Sequence, residues 1–199
     1  LDGVNQYDEF GCSVSLSEDG LKLAIGAYAV EVQHPLGPQY GYYNNVGTAQ
    51  VYEYVSGTWN QICIIDGPTN NSGANFGRSV SLNSDGSILA IGAPGHLNKG
   101  LVRVYEDISG NWTQIGQDID GESAGDQSGY SVSLSDDGNT VAIGARHNNG
   151  NGLNSGHVRV YENIGGSWTQ VGQDIDGESS LDWSGSSVSM NNQANTLAI

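Results

Sequence analysis

Two stretches of this chain carry acids at matching places: Asp118, Asp120, Glu122 and Asp126 recur as Asp174, Asp176, Glu178 and Asp182. Hard cations select clustered carboxylates and backbone oxygens on a loop, so Asp118, Asp120, Glu122, Asp174, Asp176 and Glu178 are a candidate site for weakly held calcium. Asp and Gly are equally the residues of ordinary turns, and a turn is the simpler reading. The first copy of the stretch, Asp66-Gly67-Pro68, lacks most of the acids and weakens the metal reading. No other cofactor is called for.

Other reactive residue types are scattered. His34, His96, His147 and His157 have no matched nucleophile and no His-Glu-x-x-His spacing. Glycoside hydrolysis needs two convergent carboxylates, but among 22 acids some pair always looks suitable. The chain is therefore read as a non-enzyme. Tyr40, Tyr42 and Tyr43, followed by Asn44, are a candidate ligand-binding group, because exposed rings beside amides grip sugars and proteins. The alternative is a loop folded onto its own sheet, with these tyrosines as a local core. Asn70 and Asn111 begin glycosylation sequons.

The elements that carry these residues repeat. FGCSVSLSEDGLKLAIGA begins at Phe10, FGRSVSLNSDGSILAIGAP at Phe76, SGYSVSLSDDGNTVAIGA at Ser128 and SGSSVSMNNQANTLAI at Ser184. GTAQVYE, GLVRVYE and GHVRVYE follow the first three, and then SGTWNQI, SGNWTQIGQDIDGES and GGSWTQVGQDIDGES. Each full copy holds four short runs rich in β-branched and aromatic residues, divided by Gly, Asn, Asp and Ser. The expected units are 8–66, 67–120, 121–176 and a partial 177–199. Loops 28–46, 94–99 and 146–155 absorb nearly all the variation in repeat length, leaving a rigid unit of about 46 residues.

A four-stranded antiparallel unit cannot bury both faces alone, and radial packing of such units gives an all-β β-propeller. Asp19-Gly20, Asp85-Gly86 and Asp137-Gly138 are expected to form tight hairpins with positive φ, and Ser56-Gly57, Ser109-Gly110 and Gly165-Gly166 likewise. Trp59, Trp112 and Trp168, with Tyr52, Tyr105 and Tyr161, are expected to pack between blades. About three and a half blades are present. They read as a segment of a longer chain whose further blades complete a ring of seven, or whose open strand edges pair with another copy.

Charge excludes some partners. With 22 acidic and 6 basic residues the net charge is -16, which repels nucleic-acid backbones and anionic membranes. No run of about 20 apolar residues suggests membrane insertion. Cys12 and Cys63 fall on the first and fourth runs of one unit, too far apart to bridge.

The repeat, with Phe76-Gly77 and Gly92-Ala93-Pro94 in its second copy, resembles the FG-GAP family, the propeller blades of integrin α-chain heads and many secreted surface proteins. The wording is similar still to tandem repeats of secreted microbial surface proteins. The resemblance implies an extracellular or cell-surface module for adhesion, for glycan or protein recognition, or for surface assembly; the alternatives are a purely structural filament or sheath, and a propeller hydrolase with carboxylates at the channel mouth. FG-GAP blades often hold calcium between their first two strands. Here Asn83, Asp85 and Gly86 match part of that pattern, but the later Asp is missing.

Overall fold

The computed structural model describes residues 1, 3, 8–33, 42–69 and 71–199, with side chains omitted at 32, 33, 42 and 43. The first repeat forms β1 (Phe10–Leu16), β2 (Lys22–Ala27), β3 (Val32–Gln33), β4 (Tyr42–Tyr43), β5 (Thr48–Val55) and β6 (Thr58–Asp66). The second forms β7 (Ser79–Leu82), β8 (Ile88–Ala93), β9 (Leu101–Ile108), β10 (Asn111–Gln114) and β11 (Ile119–Asp120). The third forms β12 (Ser131–Leu134), β13 (Thr140–Ala145), β14 (His157–Ile164) and β15 (Ser167–Asp176), and the partial copy β16 (Ser189–Met190) and β17 (Leu197–Ala198). Three antiparallel blades result, ordered β1-β2-β5-β6, β7-β8-β9-β10 with β11 also on β9, and β12-β13-β14-β15, followed by the two-stranded β16-β17. The architecture is a β-propeller segment, with an extra β3-β4 ladder inside the long first loop.

The core lies between blades. Ala24, Ala49, Val51 and Ile65 of the first blade pack with Val80, Leu82, Leu89, Ile91 and Tyr105 of the second. Ala90, Val102, Val104 and Ile119 of the second pack with Val132, Leu134, Val141, Ile143 and Trp168 of the third. Alternation in Ser-Val-Ser-Leu explains this: Val80 and Leu82 are buried, while the serines on the opposite side serve a different purpose. First strands are neighbours from blade to blade, so they lie nearest the axis. Their free edge, facing the axis, would leave N–H groups unpaired. Ser13 and Ser15 accept from Val80 N and Leu82 N, both at 2.9 Å. Ser81 accepts from Leu134 N and Ser133 from Met190 N, both at 3.0 Å.

The two hairpins of each blade differ in construction. Between third and fourth strands, Ser56 and Gly57 have φ of 51° and 88°, as do Ser109 and Gly110 (56° and 89°), and Gly165 and Gly166 (62° and 87°). Two consecutive positive φ values give the two-residue turn whose twist matches the strands. Between first and second strands only the glycine has positive φ, at Gly20, Gly86 and Gly138. The Asp-Gly turns therefore depart from the expected two-residue form. The connection is longer, and Asp19 accepts from Leu21 N (2.9 Å) and from the Ser17 hydroxyl (2.7 Å). Asp85 and Asp137 repeat the arrangement with Ser87 and with Ser135 and Asn139. These bonds hold the three carboxylates below the usual range.

The first blade exposes Val14 (61%) and Leu16 (54%), whereas their counterparts Val80 and Leu82 are 6% and 7% exposed. What lies open there is an apolar face. Cys12 and Cys63 are both free.

Candidate functional site

Antiparallel order separates the two ends of every blade. Both hairpins close one end; the 2–3 loops and the connections between blades open at the other. The candidate metal ligands and the tyrosine loop share this loop face, and Asn111 lies at the hairpin end, exposed beside a turn. Asn70 lies outside the described residues.

Most of the acids are already matched. Three residues, 116–118, stand opposite the single residue Arg103, between the Ile115 N–Val104 O hydrogen bond (2.9 Å) and the Ile119–Val102 pair. This bulge, with Gly116 at φ 71°, turns Asp118 onto Arg103, which donates Nε to Oδ1 (2.8 Å) and Nη2 to Oδ2 (2.9 Å). Gln114 also donates to Asp118. The third blade repeats the set with Arg159, Asp174 and Gln170. The arginine bonds hold Asp118 and Asp174 below the ordinary carboxylate range. Asp120 pairs with Lys99 at 3.1 Å, and Glu122 reaches Arg159 at 2.7 Å. Asp176 and Glu178 are exposed and line an open concavity of about 520 Å³ with Asp182 and Trp183.

One cluster went unread in the sequence. Glu122, from the connection before the third blade, and Asp174, at its outer strand, bring ligand atoms within 4.8 Å of each other and of His157. Arg159 already supplies the positive charge at this place. The His157 ring is 3% exposed, and its Nδ1 lies 3.6 Å from Asp174 without a hydrogen bond. Burial first, and Arg159 second, depress its pKa below 6.5. As the pH falls through that ordinary value the unfolded chain takes up the proton before the folded one, so the folded state loses stability. The equivalent residue in the second blade is Leu101. His157→Leu is expected to shrink the fall in melting temperature between pH 7.5 and 5.5, measured calorimetrically against the parent; Asp118 and Asp174, held low by their arginines, titrate below this window.

In the tyrosine loop, Val32 pairs with Tyr43 and Gln33 with Tyr42. The Asn44 side chain is exposed and its carbonyl accepts from Gly73 N at 2.8 Å, tying the loop to the next connection. Tyr40 lies outside the described residues.

A stretch from the end of the second blade through the first two strands of the third and into its β14 carries a recognisable signature. Residues 119–161 match the family model of the FG-GAP repeat. This supports FG-GAP-like repeats, of which the other copies repeat the wording. No curated protein matches the chain in sequence. Similar solved structures include a candidate 6-phosphogluconolactonase from Bacteroides uniformis, with TM-score 0.60, 13% identity and coverage of 93% of this chain and 45% of that one. A second, from Bacteroides fragilis, has TM-score 0.55, 17% identity and coverage of 82% and 38%. Kuenenia stuttgartiensis hydrazine synthase has TM-score 0.54, 13% identity and coverage of 99% and 44%. The chain spans less than half of each, and at these identities the likeness is one of fold.

Proposed function

We propose that the chain is a non-enzymatic extracellular or cell-surface module whose loop face recognises a protein or glycan. The observation that carries this reading is that the FG-GAP-like repeats keep their core nearly constant while the connections 28–46, 94–99 and 146–155, which leave and rejoin their blades at the same end, differ in length. Glu122 and Asp174 approach as a hydrolase pair would, but Arg159 binds both and favours the ionised form of Asp174. Hydrolysis by such a pair needs one acid that keeps its proton.

Tyr42→Ala with Tyr43→Ala is expected to abolish binding on an array of immobilised glycans and surface proteins while leaving the melting temperature unchanged. A stability loss without a binding loss overturns the assignment of these tyrosines, and a parent that binds nothing on the array overturns the reading. The second reading, a structural building block, draws on exposed Val14 and Leu16. It predicts concentration-dependent assembly in sedimentation that Leu16→Glu abolishes.

A further inference from the structure

The basic side chains divide into two kinds. Lys22, Lys99, Arg103 and Arg159 each lie against a carboxylate. Arg78 and Arg146 have none within 4.0 Å among the described residues, although the chain carries 22 acids. Both converge instead on Tyr130. The Arg78 guanidinium carbon is 4.3 Å from that ring centroid and its Nη2 donates to the phenol oxygen at 2.6 Å. The Arg146 guanidinium carbon is 3.7 Å from the same centroid, and its Nε donates to Gln127 Oε1 at 2.9 Å.

A phenol ring attracts each guanidinium modestly, yet two like charges gathered on one ring repel each other. A guanidinium has five N–H donors in a planar fork, and among the described residues most of these ten meet no acceptor. Arg78 and Tyr130 immediately precede β7 and β12, and Arg146 immediately follows β13. All three therefore sit at the loop end of the axial strands, half-buried. Tyr28, at the same end, places its ring 5.9 Å from Arg78. Next to Arg146, the His147 ring lies 6.5 Å from that of Trp183, which is 50% exposed.

We propose that Arg78 and Arg146 bind the carboxylate of an acidic sugar that ends an otherwise neutral glycan, with Trp183 as a stacking surface for the adjoining ring. A planar fork matches a carboxylate bidentately. The net charge of -16 repels polyanions, so a ligand bearing one negative charge is selected over an acidic polymer. This inference rests on the recognition reading above and names the ligand class.

The test is calorimetric titration with a disaccharide ending in glucuronic acid and with its neutral glucose counterpart. The acidic sugar is expected to bind at least about tenfold more tightly than the neutral one, and less tightly as salt is raised. Arg78→Gln and Arg146→Gln are each expected to abolish that preference. Arg146→Lys, which keeps the charge and guards against a misfolded variant, is expected to retain part of it. Equal binding of both sugars overturns the anion site while leaving glycan recognition standing. Failure to bind either sugar, or a preference that survives both glutamine variants, overturns it as well. Arginine-dependent binding of an acidic peptide in place of the sugars overturns the ligand class.

Discussion

Gly92→Ala is expected to destabilise the fold by about 4 kcal/mol, lowering the melting temperature by roughly 8 to 16 °C. A methyl group there would fall on the Gly129 carbonyl oxygen of the next blade and on the Ser79 hydroxyl. Neither can yield cheaply. The carbonyl is backbone, and it accepts the Ser79 hydroxyl at 2.9 Å, so moving it breaks that bond as well. Gly26 stands in the same relation to Gly77, and Gly144 to Gly185. This contact explains both glycines of the repeated phrase: one in Phe-Gly, the other in Gly-Ala. Gly57→Ala is the control. It has a φ of 88° but open space around it, and should cost only about 1 kcal/mol. Urea denaturation of the three proteins measures the difference.

Trp168→Ala is expected to cost a similar amount, about 4 kcal/mol, through lost packing. The side chain is 4% exposed in the core between second and third blades. Its indole N–H donates to the Ile115 carbonyl at 3.0 Å. Gln117 holds its main chain, accepting from Trp168 N (3.1 Å) and donating to Trp168 O (2.7 Å). Trp168→Phe should therefore lose more than its smaller area alone implies, because a buried acceptor is orphaned. The counterpart Trp112 is the comparison. Its indole nitrogen is buried without a partner, so Trp112→Phe sacrifices no bond and should be milder. Equal losses from both phenylalanine variants, measured as urea midpoints, would count against this account.

The repeat, the four runs per blade and the packing of Trp112 and Trp168 between blades were legible because glycine punctuation and alternating apolar residues are local signals; Trp59, in the first blade, instead lies against Tyr54 of its own hairpin. The partnership of Arg103 with Asp118 was not. It depends on a bulge that sets three residues opposite one, and residue spacing alone reads those acids as a free cluster. The proximity of Glu122 to His157 was hidden for another reason: one comes from the connection before the blade and the other from the start of its third strand, and they meet only when the sheet forms. The β3-β4 ladder has two residues on each side, too few to show any period. The Asp-Gly turns were misjudged because the dipeptide suits two geometries. Here the carboxylate accepts hydrogen bonds, and the glycine alone takes the unusual dihedral.

The bulge at 116–118 has a further consequence. In the first blade only one extra residue, Ile62, interrupts the outer pairing between Val51–Cys63 and Tyr52–Gln61. That blade offers its follower no side chain comparable to Gln117, and Trp112 accordingly has an unpartnered nitrogen. Tandem copies this alike are prone to exchange partners while folding, with one unit docking against the wrong neighbour. The outer rim opposes such mistakes. Placing the third blade directly after the first would leave the Trp168 indole and main chain without acceptors, whereas after the second they are satisfied. Near-identical units thus carry an address at their periphery, and the linear order of the copies is enforced by hydrogen bonding as well as by the chain that joins them.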